Sequence, residues 1–296
     1  MSFKQTLYDI KSLKVQGASN VALAAVQSLR FLKPSKQYAQ ELLRARDQLL
    51  KTRVTEPLMH NALNYVLTLN FDQEPEEIKQ QLHKRIEFIE QFIEDSKKTI
   101  VEFGVQKIQN GMVIATHCHS STVVDILIAA KKQGKTFKVL NTETRPRFQG
   151  RVTARELVKA GIDVEHHVDA AIGVMLRKSD MFLMGADAIS TEGSVYNKIG
   201  SGAFSYLASS FDCPVYICTH SWKLDPLTIQ GSNIVIEERD PKEVWEKPPR
   251  KLKIANPAFE RIDPDHILAI ISELGIYAPE QLVPEVKHRY PDLFKY

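Results

Sequence analysis

The chain has 296 residues, 43% apolar and 25% charged, the proportions of a soluble globular protein with room for one large domain or two smaller ones. Its formal net charge of +3, from 39 basic and 36 acidic residues interspersed along the chain, argues against direct nucleic-acid binding but leaves room for a local anion site. Three cysteines are too few, and odd in number, for a disulfide framework; with a polar N-terminus and no apolar run near the ~20 residues that span a bilayer, they point to a cytoplasmic protein without a membrane partner.

The first hundred residues read as helices. VALAAVQSLRFL has apolar residues at helical spacing, with Ser19 or Asn20 placed to cap it. YAQELLRARDQLLK and LMHNALNYVLTL are two more such stretches. A long amphipathic run from Pro75 to Phe103 opens on the proline, which suits the first helical position. Breaks fall near Pro34-Ser35, Val54–Pro57 and Phe71–Pro75, so the pattern predicts four or five antiparallel helices.

From Gly111 onward, short apolar β-runs alternate with helical stretches. GMVIATHC, TFKVLNTE, DVEHHV, MFLMGAD and PVYICTH read as strands. STVVDILIAAKKQG, TARELVKAG, AAIGVMLRK and KIGSGAFSYLASSFD read as helices, and NIVIEE as a further strand. Near-continuous apolar strands alternating with helices imply an α/β fold, a parallel sheet with helices on both faces.

In such sheets the active crevice lies beyond the carboxyl ends of the strands. Those ends read THCHSS, NTETRPRFQGR, HHVDAA, GADAISTEGSVYNKIGS and THSWKLDP, dense in polar groups, whereas the opposite ends are plain. A cysteine closing a core strand is ordinarily an inert buried thiol. Cys118, however, sits at a carboxyl end, and Ser120-Ser121 look like the cap of the next helix, whose N-terminus would favour a thiolate or a phosphate. Zinc binding by His117, Cys118 and His119 is not expected, because adjacent strand residues diverge.

Asp187, in GAD, either caps the following turn or transfers protons beside the thiol. Asn197 and Lys198 precede a helix start at Ile199–Gly202, which reads either as a capped surface helix or as a phosphate site. Lys223 in SWKLDP could meet a second phosphate. The arginine-rich loop around Pro146 contributes Arg145 and Gln149 as candidates, with a solvated loop or a subunit contact as the alternative. At least one of His166 and His167, on opposite faces of a strand, reads as structural. In the helical half, QGASN and KTRVTEP are polar breaks able to close over the crevice, with Arg53 as the anion candidate.

These groups fit no hydrolase triad, and the chain has neither a P-loop nor a GxGxxG opening a helix. Proton transfer on a phosphorylated small molecule suits them better: it needs an acid, a base and an anion clamp.

THCHS, NTETRPRFQGRVTARELVKAGI, DAAIGVML, MGADAIS, EGSVYNKIGS and NPAFE, in that order, cover most of residues 106–260. The chain thereby resembles the family uniting the alpha, beta and delta subunits of translation initiation factor 2B with methylthioribose-1-phosphate isomerase and ribose-1,5-bisphosphate isomerase. QGA and TRVT extend the likeness more loosely into the helical half. The resemblance implies a helical domain over residues 1–105 and a Rossmann-like catalytic domain over residues 106–296. It also implies an aldose–ketose isomerase with Cys118 and Asp187 as the acid–base pair. Gln149, Asn197 and Lys198 would hold sugar hydroxyls and phosphate, Gly17, Ala18 and Arg53 would come from the helical domain, and Lys223 would meet a second phosphate. Ser120 and Arg145 complete the set of expected substrate contacts.

No cofactor or metal is implied, and the expected partners are a small phosphorylated sugar and further copies of the chain, as a dimer or hexamer. THCHS, SWKLDP and NPAFE are most similar to the branch that converts ribose 1,5-bisphosphate to ribulose 1,5-bisphosphate. The regulatory subunits typically lack the cysteine–aspartate pair. Against this, Gln16 stands where the isomerases have arginine, and the final DLFKY is similar to the regulatory alpha subunit. The alternative expectation is therefore a non-enzymatic regulator that binds translation initiation factor 2.

Overall fold

The computed structural model describes residues 2–295; Met1 and Tyr296, the latter ending the DLFKY stretch, lie outside the described residues. The N-terminal part is helical: α1 (Phe3–Lys11), α2 (Ala18–Ser28), α3 (Tyr38–Leu50), α4 (Pro57–Val66) and α5 (Pro75–Lys107). Pro57 and Pro75 open their helices at the first turn, where no amide hydrogen is needed. The start of α2 departs from expectation. Ser19 and Asn20 lie inside the helix, and Gly17 occupies the N-cap at φ +85°, a conformation glycine adopts freely. The Asn20 amide donates back to Gln16 O at 3.1 Å, tying the turn from within.

The rest of the chain runs β1 (Val113–Thr116), α6 (Ser121–Lys132), β2 (Lys138–Thr142), α7 (Gln149–Lys159), β3 (Asp163–His167), α8 (Ile172–Leu176) and β4 (Met181–Met184). It continues through β5 (Ala188–Ile189), β6 (Val195–Lys198), α9 (Ser201–Ser210), β7 (Val215–Cys218), β8 (Phe259–Ile262), β9 (Ala269–Ser272), β10 (Gly275–Tyr277) and α10 (Pro279–Arg289). One sheet has the order β10-β9-β7-β4-β1-β2-β3, parallel except for the antiparallel edge strand β10. A second, antiparallel sheet, β5-β6-β8, has no counterpart in the sequence reading.

Alternating side chains of the large sheet feed two separate cores. Ala115, Leu140, Phe182, Met184, Val215, Ile217 and Ile270 pack into a core shared with α8–α10 and the N-terminal helices. Ile114, Val139, Met181, Leu183, Cys218 and Ile271 pack into the other, under α6 and α7. The period of two is that of a strand covered on both faces. Helix α5 enters both: Ile78 to Ile93 belong to the first core, Ile100 and Val105 to the second. Among the described residues, no helix is long and apolar enough to cross a membrane.

NIVIEE is not a strand. It runs without sheet partners except for an isolated pairing of Glu238 with Pro257. Its backbone acceptors are used elsewhere: the Thr55 hydroxyl donates to Val235 O, and Ala258 N donates to Glu237 O at 2.8 Å. A β-run in sequence thus becomes a strap between the N-terminal helices and the NPAFE segment.

Gly150, in the first turn of α7, lies so close to β2 that an added Cβ would stand 1.7 Å from Thr142 O. No side chain fits without moving backbone. Gly150→Ala is expected to destabilise the fold by ~1–3 kcal/mol, read as a lower denaturation midpoint; an unchanged midpoint would show that the β2–α7 contact yields.

Candidate active site

The order of the large sheet reverses between two neighbours. The chain proceeds outward from β1 through β2 to β3, then crosses back to place β4 on the other side of β1. This is the switch point where open α/β sheets bind ligands. Cys118 follows β1 and Asp187 follows β4, so the two candidate proton-transfer residues leave adjacent strands. Gly185 lets the end of β4 pack against the start of α6: a Cβ there would stand 2.7 Å from Ser120 Oγ, whose hydroxyl accepts from Val123 N as the cap of α6.

Strand β1 stops at Thr116 rather than running on to Cys118. Cys118 takes φ +68°, a left-handed conformation that costs a non-glycine residue ~1–2 kcal/mol. Two threonines hold it there. Cys118 N donates to Thr144 Oγ1 at 2.9 Å, and Thr153 Oγ1 donates to Cys118 O at 2.9 Å. Neither threonine stood out in the sequence. Strain of this kind, held by side chains from two other elements, is characteristic of functional sites.

The residues around this point enclose a cavity of about 430 Å³ between the sheet's carboxyl ends and the N-terminal helices, a size suited to a small ligand. Gly17, Ala18, Arg53, Cys118, Ser120, Gln149, Asp187, Asn197, Lys198 and Lys223 all line it. Helix α2 presents its first turn to the cavity without a side-chain cap, and α6, capped by Ser120 on Val123 N, turns Ser121 and Thr122 toward the same space. Two helix N-termini thus face space that an anion can occupy. Gln149 brings an Oε1 that is buried without a hydrogen-bond partner, an acceptor for a ligand hydroxyl.

Two expectations change. Arg145 does not line the cavity: its guanidinium donates to Val244 O at 2.9 Å and stacks on Phe148, while Arg147 takes the place at the rim. The N-terminus of α9 is not an open phosphate site either. Glu260 Oε2 already accepts from Gly200 N and Gly202 N, at 2.8 and 3.1 Å. Asn197 and Lys198 reach the cavity as strand residues of β6 instead. Asn197 is steadied by a bond to Ser201 Oγ at 2.9 Å, and the Lys198 ammonium lies 4.6 Å from the Phe259 ring centre.

Burial dominates the electrostatics. It pushes the Cys118 thiol up to about 11, with Lys198 opposing and Asp187 reinforcing the shift, so sulfur carries its proton at neutral pH. His117 is pushed down to about 4 by burial, so it is neutral. Its Nε2 donates to Ile199 O at 3.0 Å, and its Nδ1 accepts from Thr142 Oγ1 at 2.6 Å, a scaffold role. His119 turns to Thr153 instead, so the two histidines diverge as the strand geometry implied. His166, bonded to Asn141 Oδ1 at 2.8 Å, is likewise structural. Lys223 is partly buried; burial lowers its pKa while Asp187 and Glu56 raise it, and its ammonium donates to Ala186 O.

Glu56 is the residue that the sequence did not single out. It is 1% exposed, accepts Arg53 Nη2 at 2.5 Å and lines the cavity. The only local signal is a carboxylate immediately before Pro57, at the break KTRVTEP. Arg239, Glu243 and Asn256 also reach the cavity from the strap and the NPAFE segment.

The profile of the initiation factor 2 subunit family matches residues 14–279. The chain belongs to this family. Within it, the chain is 35% identical to ribose 1,5-bisphosphate isomerase of Pyrococcus furiosus, over 97% of this chain and 94% of that protein. It is 34% identical to ribose 1,5-bisphosphate isomerase of Archaeoglobus fulgidus, over 92% and 88%. Among solved structures, translation initiation factor eIF-2B of Pyrococcus horikoshii OT3 superposes with a TM-score of 0.85 at 26% identity, covering 95% of this chain and 98% of that one. The proteins this chain resembles thus include both isomerases and translation factors.

Proposed function

We propose that this protein is an aldose–ketose isomerase that converts ribose 1,5-bisphosphate to ribulose 1,5-bisphosphate. The observation that carries the reading is the placement of Cys118 and Asp187 beyond adjacent strands at the sheet's switch point, lining one cavity with Lys198 and Lys223.

Phosphate on O1 blocks spontaneous ring opening, so the cleft must open the ring while C2 loses its proton. Asp187 takes the C2 proton as the ring C1–O bond breaks, and the Cys118 thiol gives its proton to the departing ring oxygen. The resulting enol has a C1–C2 double bond with phosphate still on C1. Asp187 then returns its proton to C1, while the Cys118 thiolate takes the proton of the C2 hydroxyl and C2 becomes the ketone. Protons and electron pairs balance, and no oxidant is needed. Lys198, which favours the charged form of Cys118, stabilises the thiolate between the two halves. Gln149 and Asn197 meet sugar hydroxyls, and the phosphates fall to Lys198, Lys223 and the first turns of α2 and α6, with Gly17, Ala18 and Ser120 shaping those turns. Arg53 gives part of its fork to Glu56 and Glu237 and serves the anion through its charge. The division into a helical domain over 1–105 and a catalytic domain over 106–296 belongs to the same reading, as do a cytoplasmic setting and a homo-oligomeric state.

The test is a panel of phosphorylated pentoses. The wild-type protein is expected to turn over ribose 1,5-bisphosphate with a kcat/KM at least tenfold above that for any monophosphate. Loss of all turnover across the panel would end the enzyme reading. It would also favour the regulator reading, for which Gln16 in place of the isomerases' arginine is the supporting observation. Capture of translation initiation factor 2 at micromolar concentration checks that second reading directly.

A further inference from the structure

Arg53, Lys198 and Lys223 are accounted for by phosphate and thiol, but the acid beside them, Glu56, has no part in that scheme. Glu56 lies in the turn before α4, 1% exposed, on the wall of the cavity that holds Asp187 and Lys223. Its Oε1 accepts from Arg53 Nη2 at 2.5 Å, whereas its Oε2 is buried with no hydrogen-bond partner. A buried carboxylate oxygen left unpaired is costly, more so when the group is charged. The remedy is a proton on that oxygen and an acceptor for it to face.

The neighbours define when the proton arrives. Arg53 and Lys223 favour the ionised form of Glu56, and Asp187 and Glu237 disfavour it, as burial does most strongly of all. The balance places Glu56 at about 7, far above an ordinary glutamate. His60, on the next turn, bonds through Nε2 to Arg53 O at 2.9 Å, and burial lowers its pKa, so it adds no cation at neutral pH. An anionic phosphate entering the same cavity adds negative charge beside these groups and moves Glu56 further toward its neutral form.

We propose that Glu56 is a third acid of this cleft, which takes up a proton as the sugar phosphate binds and donates a hydrogen bond from Oε2 to a ligand oxygen. The inference rests on the isomerase reading for the identity of the ligand. It adds a substrate contact and a linkage between binding and pH. Neutralising Glu56 also frees Arg53 from one of its two carboxylate partners, so the guanidinium charge becomes more available to the phosphate. Arg53 also bonds Glu237 through Nε at 3.0 Å, a second anchor that does not involve Glu56.

Isothermal titration calorimetry tests this on the full chain. The Cys118→Ser variant is used so that ligand is not consumed, with ribulose 1,5-bisphosphate as the probe, at pH 8, in buffers of different ionisation enthalpy. At that pH Glu56 starts mostly ionised and the phosphates are mostly dianionic. The expected result is uptake approaching one proton per site, lost when Glu56→Gln is added and retained with Glu56→Asp. Glu56→Gln, which keeps a donor, is expected to bind within about tenfold of the parent and to flatten the pH dependence of Kd between pH 6.5 and 9. Uptake unchanged by Glu56→Gln, or binding without uptake in the parent, overturns the role of Glu56 and leaves the isomerase reading standing. Absence of any binding by a folded parent overturns both. Should Glu56→Gln fail to fold, the parent's proton uptake between pH 6.5 and 9 still decides, since a flat profile excludes a group titrating near 7.

Discussion

Replacing Cys118 by serine is expected to lower kcat about 10³-fold while leaving the protein folded. General acid–base transfer by a placed side chain contributes roughly 10²–10⁴-fold, and a serine hydroxyl is a far poorer proton donor than a thiol. The structural cost is small because the threonine bonds that hold residue 118 run to its backbone, not its sulfur. Cys218 provides the contrast. It is buried in the core under α6 and α7, so Cys218→Ser should cost stability and leave kcat within a few-fold. The pH dependence carries the same signature. Since the Cys118 thiol is held up to about 11 in the folded state, the free enzyme keeps its proton donor through pH 9 and loses it only as pH approaches that value. The alkaline limb of kcat in the wild type, read with the site saturated and Glu56 already protonated, should therefore lie well above pH 9. Linkage has the matching sign. The raised pKa supplies stability below pH 9, which is lost as pH rises toward 11, and Cys118→Ser should remove that loss. Stopped-flow or coupled turnover of both variants, beside circular dichroism, decides the matter. A Cys118→Ser enzyme within tenfold of wild type would remove sulfur from the chemistry.

Much of this site was legible from strand ends alone. The polar clusters after VIAT, KVLNT, MFLM and VYIC mark a rim because near-continuous apolar strands leave no other place for such groups. Cys118 and Asp187 could be placed on that rim, but their adjacency could not. It depends on β4 returning to the far side of β1, and strand order is set by long-range packing that leaves no local trace. The same blindness explains NIVIEE: β-branched residues express a preference for extended backbone, which a strap satisfies as well as a strand. It explains α9 too, where Lys198 and glycines suggested an anion site. The carboxylate that fills it, Glu260, comes from β8, which joins β6 only in the folded chain. Glu56 was hidden for a related reason. A glutamate before proline reads as a surface turn, and only the folded chain buries it, within the field of Arg53, Asp187, Lys223 and Glu237.

Asp187→Asn is expected to match or exceed the loss at Cys118, with kcat down ~10³–10⁴-fold. Asparagine keeps the shape, and the Asp187 backbone bond to Tyr196 O, at 2.8 Å, is untouched; what disappears is the ability to accept a proton. Ligand binding should move the other way. Asp187 puts negative charge into a cavity that must admit phosphate, so its neutral isostere should bind ribulose 1,5-bisphosphate at least as tightly as wild type, giving a lowered kcat with no rise in KM. Asp187 also helps keep Lys223 charged, and its loss leaves Glu56 as the carboxylate opposing burial there. The decisive measurement is the double variant. Residues that act as one unit are strongly non-additive: once either member of the pair is gone, the other has no partner step to serve. Cys118→Ser with Asp187→Asn should therefore be about as slow as the slower single variant. Two losses that multiply, to ~10⁶ or beyond, would mean that each residue works independently of the other, and a shared acid–base cycle at the β1–β4 crevice could not stand.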